Sequence, residues 1–330
     1  MRQANIESWI GELQPGRRFT LAPASADASF RRYFRVAFND GETCVVMDAP
    51  PDHEDVRPWL SVQRLFRDAG VHVPEVLAQD AGQGFLLLSD LGSTTYLADL
   101  TEANADNHYR AAVDALVKIQ LASRPGELPE YDRILLKREL DLFPDWYVEK
   151  HLGIALSDHQ RSQLEAVFEK ILAVNLDEPR VYVHRDYHSR NLMVTSPTPG
   201  IIDFQDAVFG PISYDLASLF KDAYIEWPEE RVLDWLARYW EQARRAGLPV
   251  RHDFGEFHRD YEWMGVQRHV KVLGIFARLR HRDGKEAYLK DMPLVAKYLR
   301  TACARYRDLT PLLRLLDELE NRQAQVGYTF

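Results

Sequence analysis

Val183-His184-Arg185-Asp186-Tyr187-His188-Ser189-Arg190-Asn191-Leu192-Met193-Val194, followed by Ile201-Ile202-Asp203-Phe204-Gln205-Asp206, decides the reading of this 330-residue chain. Met193 and Val194 read as the end of a strand, Ser196-Pro197-Thr198-Pro199-Gly200 as a turn, and Gly200 to Phe204 as a returning strand. Such a hairpin brings Asn191 and Asp203 back beside each other. The residue types suit phosphoryl transfer, which needs an attacking hydroxyl in line and neutralised phosphate charge. Mg²⁺ takes hard oxygen ligands, one or two carboxylates with phosphates and water. Asp203 and the amide oxygen of Asn191 fit that role, and Asp186 is then placed to accept a hydroxyl proton. Each pattern alone is an ordinary turn or strand end; their order gives them weight.

A protein-kinase catalytic segment has H-R-D, an Asn five residues past that Asp, then D-F-G. His184-Arg185-Asp186 and Asn191 match the first two, and Asp203-Phe204-Gln205 stands in the third place without its glycine. With Gly210-Pro211-Ile212-Ser213-Tyr214-Asp215-Leu216-Ala217 behind it, the chain resembles the aminoglycoside phosphotransferase and choline kinase superfamily. That family typically carries H-x-D-x-x-x-x-N, I-D-[FW] and G-x-x-x-x-D-L-A. Within it the likeness is greatest to bacterial anomeric kinases of N-acetylmuramate and N-acetylglucosamine. It extends over Val45-Val46-Met47-Asp48-Ala49-Pro50 and Lys271-Val272-Leu273-Gly274-Ile275-Phe276.

The resemblance implies an α+β, protein-kinase-like bilobal fold: a small β-rich N-lobe over 1–88, a hinge at 89–92 and a larger, mainly helical C-lobe over 93–330. ATP and Mg²⁺ are its expected cofactors. It implies adenine hydrogen bonds from the Ser89 carbonyl and Leu91 amide, and structural support of the catalytic loop by His184 and Asp215. The expected product is the α-1-phosphate of N-acetylmuramate, and of N-acetylglucosamine, feeding UDP-sugar synthesis in peptidoglycan recycling.

Bulk properties agree with such a protein. Lys plus Arg total 41 against 50 Asp plus Glu, a net charge of −9. Nucleic-acid binding, which needs a basic surface, is disfavoured. Cys44 and Cys303 are too few and too far apart for a disulfide framework or cysteine zinc site. No signal peptide is read at the start, where Glu7 and Glu12 interrupt Ile6, Trp9, Ile10 and Leu13. No run reaches the roughly 20 apolar residues of a membrane span. The expectation is a cytoplasmic protein acting on a small amino sugar, with no membrane, nucleic-acid or obligate protein partner.

Phe19 to Ser25, Arg32 to Phe38 and Thr43 to Met47 read as three strands, with Asn39-Asp40-Gly41 as a turn. The loop from Ala26 to Arg31 is where a kinase covers its phosphates; it lacks glycine, so backbone N–H groups and the Ser25 or Ser29 hydroxyls are its candidate contacts. Asp55 to Ala69 reads as a helix, and Val76 to Ala78 and Phe85 to Leu88 as two more strands. Helix dominates from Asp106, with a capping box at Ser157-Asp158-His159-Gln160.

One departure stands out. Where many kinases carry a phosphate-binding lysine on the third strand, this chain has Met47, and no lysine precedes Lys118. Arg31, Arg32 and Arg35 are the candidate replacements, Arg32 foremost. The same gap motivates a rival reading, a nucleotide-binding regulator without transfer activity. A second rival is another small-molecule kinase, for aminoglycosides, choline, homoserine or fructosamines. Arg190, Gln205, Asp206, Tyr224, Trp227 and Trp263 are candidate sugar contacts, although a tryptophan taken singly is more often core packing. Arg268, Lys271, Arg278 and Arg282 share one side of a helix, which reads either as a solvated face or as a basic wall for an anion.

Overall fold

The computed structural model describes residues 2–25 and 31–326. The chain divides into two compact units, Met1–Ala122 with Arg190–Asp206, and Ser123–Ser189 with Ala207–Phe330. Residues 93–122 and 190–206 belong with the first unit.

The first unit is built on an antiparallel sheet of five strands, β1 (Phe19–Ser25), β2 (Arg32–Phe38), β3 (Thr43–Asp48), β4 (Val76–Asp80) and β5 (Phe85–Ser89), in the order β1-β2-β3-β5-β4. Strict alternation puts Phe34, Val36 and Phe38 of β2 on one face, as a period of two requires. Helix α1 (Arg2–Leu13) lays Ile6, Trp9 and Ile10 on that face, with Val46, Phe85 and Leu87 completing the core. Arg2 pins the helix to the sheet through the buried Asp48, at 2.5 Å. Helix α2 (Val56–Asp68) starts where the Asp55 side chain accepts the Arg57 N–H. It buries Val56, Trp59, Val62 and Phe66 at helical spacing. Two further helices, α3 (Tyr96–Asp99) and α4 (Ala105–Leu121), precede the break, and strands β7 (Leu192–Met193) and β8 (Gly200–Ile201) form the expected hairpin.

The second unit is mainly helical. Strands β6 (Arg180–Val183) and β9 (Val208–Pro211) make a buried antiparallel ribbon. Around it stand α5 (Arg133–Leu140), a π-helical segment (Phe143–His151), α6 (Asp158–Leu176), α7 (Tyr214–Phe220), α8 (Glu229–Arg245), α9 (Phe254–Asp283), α10 (Met292–Arg305) and α11 (Thr310–Val326). The capping box at Ser157 and Gln160 is formed, and Leu164, Phe168 and Ile171 of α6 are core. The 30-residue α9 is buried almost without interruption from Asp260 to Gly274. Gly274 explains one close approach: a Cβ there would lie 2.5 Å from the Leu142 backbone. Among the described residues no helix is long and apolar enough to cross a membrane.

Candidate active site

The loop carrying Asp186 leaves β6 into a tight path that its own sequence cannot hold. Arg185 has φ 75°, a left-handed conformation that costs a residue with a side chain on the order of 1–3 kcal/mol. Neighbouring elements impose it. Asp215, in the first turn of α7, accepts the His184 N–H at 2.7 Å and the Arg185 N–H at 3.0 Å. Arg268 of α9 donates to the Arg185 carbonyl at 2.9 Å. The Asp186 N–H donates to His184 Nδ1 at 3.2 Å, which makes Nδ1 the unprotonated ring nitrogen. Ser189 closes the loop by donating its N–H (3.0 Å) and hydroxyl (2.5 Å) to Asp222. His184 and Asp215 are thus both bonded to backbone N–H groups of the loop.

The side chain of Arg185 turns inward. It meets Glu139 of α5 at 2.6 Å, and Lys271 of α9 meets the same carboxylate at 2.8 Å. The Tyr131 hydroxyl donates to it as well, and Gln267 does so at 3.2 Å. Lys271 also donates to Tyr214 at 2.8 Å. Burial pushes the Glu139 pKa up, and Lys271 and Arg185 overcome that and hold it low. The solvated-face reading of the α9 basic side does not hold for two of its residues. Arg268 and Lys271 are buried, with 6% of each side chain exposed, Arg268 on the Arg185 carbonyl and Lys271 on Glu139. Arg282 alone of the four matches a solvated face, paired with its neighbour Asp283 at 2.8 Å.

Asp186 itself keeps 43% of its side chain exposed, with Arg268 4.0 Å away. Its crowded surroundings push its pKa up, but Lys271, Arg268, His188 and Arg185 outweigh this and hold it at about 2. It is an anion throughout the neutral range. Asp215 goes the other way: burial raises it to about 7 despite its two backbone donors.

Asn191 and Asp203 lie together in the first unit. The Asn191 amide nitrogen donates to Asp203 Oδ2 at 3.3 Å, and Ile202 N–H to the Asn191 carbonyl at 3.1 Å. Asp203 sits at φ 63°, past the end of β8. What holds it there is the next residue: Phe204, fully buried, packs on Trp59 (5.1 Å) and Phe66 (5.8 Å) of α2. Their oxygen donors suit a hard cation such as Mg²⁺. Among the described residues no three His, Cys, Asp or Glu side chains gather to form a metal cage, so such an ion would draw its other ligands from phosphates and water.

The remaining candidates separate. Gln205 is buried and donates to Asp203 at 2.9 Å, which places it beside that carboxylate. Arg190 and Asp206 are exposed. Tyr224 packs on His188 at 5.5 Å. Trp227 lines a cavity in the second unit. Trp263 is outside that cavity lining, buried against Tyr306 at 5.7 Å, a core position. Ser89 ends β5, its hydroxyl accepting the Glu75 N–H, and Leu91 is buried. Arg32 meets the buried Asp48, and Arg35 grips Asp90 at 2.6 and 3.0 Å and the Gly92 carbonyl at 2.7 Å. Met47 is fully buried in the ladder. Ser29 lies outside the described residues. Glu139, Asp222 and the anchor Phe204–Trp59 were not foreseen from the sequence. A charged residue in an amphipathic helix and an apolar one after I-D carry no mark of such partners.

Residues 20–252 match the family model described as the phosphotransferase enzyme family. A Neisseria meningitidis serogroup B protein named N-acetylmuramate/N-acetylglucosamine kinase is 51% identical over 334 aligned positions, covering 100% of this chain and 99% of its own. Choline kinase LicA from Streptococcus pneumoniae shares the fold with TM-score 0.64 at 15% identity, covering 91% of this chain and 99% of its own. The ADP-bound aminoglycoside phosphotransferase APH(2'')-Ib does so with TM-score 0.60 at 17% identity, covering 90% and 97%. The α+β architecture expected from the sequence is that of these kinases. With a family model spanning most of the chain and a relative aligned along all of it, the chain belongs to the phosphotransferase enzyme family.

Proposed function

We propose that the protein transfers the γ-phosphoryl group of ATP to the anomeric hydroxyl of N-acetylmuramate and N-acetylglucosamine, giving the α-1-phosphates. The observation that carries this reading is the full-length relative at 51% identity that bears both sugars in its name. In this reading Asp186 orients the anomeric hydroxyl. The O–H bond breaks toward the Asp186 carboxylate as the new O–P bond forms and the bond from Pγ to the bridging oxygen of ADP breaks. A carboxylate held at about 2 is a weak base. Its main contribution is therefore positioning, with the proton received late, as suits a loose transition state. Asn191 and Asp203 are the residues that would hold Mg²⁺, which when bound neutralises phosphate charge. Ser89 and Leu91 contact adenine, and Arg35, through Asp90 and Gly92, fixes the shape of that turn.

The test is ATP turnover with N-acetylmuramate, N-acetylglucosamine, choline and kanamycin, with ³¹P NMR of each product. An acid-labile phosphate coupled to the anomeric proton is the expected result. Turnover confined to choline or kanamycin, or ATP binding with no turnover at all, overturns the reading.

A further inference from the structure

A cavity of about 470 Å³ opens in the second unit between the chain after α7 and helices α8, α9 and α10. Aromatic rings of Trp227, Tyr261 and Tyr298 line it, and so do Lys221, Glu262 and Arg305. Flat aromatic faces beside fixed polar groups suit a sugar ring, apolar on its faces and polar at its rim.

The charges in the cavity are not equally committed. Glu262 is 2% exposed and accepts Arg305 at 2.5 Å and the Tyr306 hydroxyl at 2.6 Å, one on each oxygen. Arg305 is also bound to Glu229, and Lys297 to Glu226 at 2.5 Å. Lys221 differs: its nearest carboxylate oxygen, on Glu262, lies 3.7 Å from Nζ, beyond hydrogen-bond length. An ammonium with three donors, 13% exposed and directed at a cavity, has capacity left for an incoming acceptor.

The chain lining the cavity is tied to the loop that carries Asp186. Ser189 is bonded to Asp222, the residue after Lys221. Helix α9 places Glu262 beside Lys221 and Arg268 beside Asp186, six residues apart, or roughly 9 Å of helix rise.

We propose that this cavity holds the acceptor sugar and that Lys221 reads the carboxylate of its 3-O-lactyl substituent, favouring N-acetylmuramate over N-acetylglucosamine. The inference rests on the anomeric-kinase reading above. N-acetylglucosamine differs from its partner by lacking that lactyl group, so the pair of sugars isolates the contact. A charge-assisted hydrogen bond to a carboxylate in such a place contributes more than a neutral one.

The experiment measures kcat/KM for both sugars in the wild type, Lys221→Met, Lys221→Arg and Trp227→Ala, with thermal melts of each. Lys221→Met is expected to lower the ratio of kcat/KM for N-acetylmuramate to that for N-acetylglucosamine at least tenfold, through KM. Lys221→Arg is expected to recover part of the ratio, and Trp227→Ala to raise KM for both sugars. A ratio unchanged in Lys221→Met overturns the assignment of Lys221. Should that variant not fold, Lys221→Gln, which keeps a polar side chain without the charge, takes its place, and an unchanged ratio there does so. Unaltered KM in Trp227→Ala overturns the cavity. If the wild type phosphorylates neither sugar, the anomeric-kinase reading itself falls, a result separate from all of these.

Discussion

Asp186 works in a field set both by its loop neighbours and by residues far from it in sequence. Its carboxylate stays ionised because Lys271, Arg268, His188 and Arg185 surround it, while two of those cations are themselves balanced by the buried Glu139. Replacing Asp186 by Asn keeps shape and removes charge and basicity. We expect kcat to fall about 10²–10⁴-fold, the usual range for a positioned acid–base group, with the fold retained. Full retained activity is the result that would sink its role. The Glu139–Lys271 pair makes a separate prediction. Lys271→Met leaves a buried carboxylate short of one partner, a change that typically costs about 3–5 kcal/mol. Adding Glu139→Gln removes the charge that was stranded. Denaturant melts of the two single variants and the double variant should therefore show positive coupling, the double losing less than the sum. Strict additivity would mean that the pair does not act as a unit.

At the scale of elements, the hairpin β7–β8 and helix α2 together place Asp203. The residue sits in a left-handed conformation at the end of a two-residue strand. The burial of Phe204 between Trp59 and Phe66 anchors the backbone there, beside the hydrogen bonds from Asn191 and Gln205. Phe204→Ala is expected to cost about 3–5 kcal/mol, in line with large-to-small aromatic changes in cores, and to lower kcat beyond what the lost stability explains at temperatures where the variant is folded. Phe204→Leu should recover most of the stability. Equal kcat in Phe204→Ala and wild type, measured well below the melting temperature, would show that the anchor does not position Asp203. This pairing also shows what was legible in the sequence. The hairpin was readable because its signals are local: a strand end, two prolines, a glycine and an apolar return. The strands of the sheet were readable for the same reason, by alternation within each. Contact of Phe204 with Trp59 spans more than a hundred residues, and no local pattern encodes it. Likewise, Lys271 and Arg268 occupy helix positions where basic residues are normally solvated, so the charge pattern alone suggested a surface. Only the presence of Glu139 and Tyr214 opposite them makes a buried position tolerable.

Over the whole molecule, buried carboxyl groups divide into two kinds with opposite effects on stability. Glu139 and Glu262, held low by cations against the upward push of burial, contribute stability present at neutral pH and lost as pH falls. Glu178 belongs to the other kind. It follows α6, is 4% exposed, and accepts the Ser213 N–H at 3.1 Å. Burial raises its pKa to about 8, with Asp260 adding to the rise, while its bonds to Ser213 and the charge of Arg251 oppose it. The unfolded chain releases this proton near the ordinary glutamate value of about 4.3. Between that value and about 8 the folded state therefore binds more protons than the unfolded state, and stability declines as pH rises through the window. Asp215, raised to about 7, adds a decline of the same sign. Glu178→Gln replaces the protonated carboxyl by a neutral amide of similar shape that keeps an oxygen for Ser213. Its melting temperature should match the wild type near pH 5 and exceed it by several degrees at pH 8.5, since the wild type alone must then ionise a buried group. Melting curves from pH 5 to 9 settle the point: a constant offset between the two proteins across the range would mean that Glu178 does not carry its proton into the folded state.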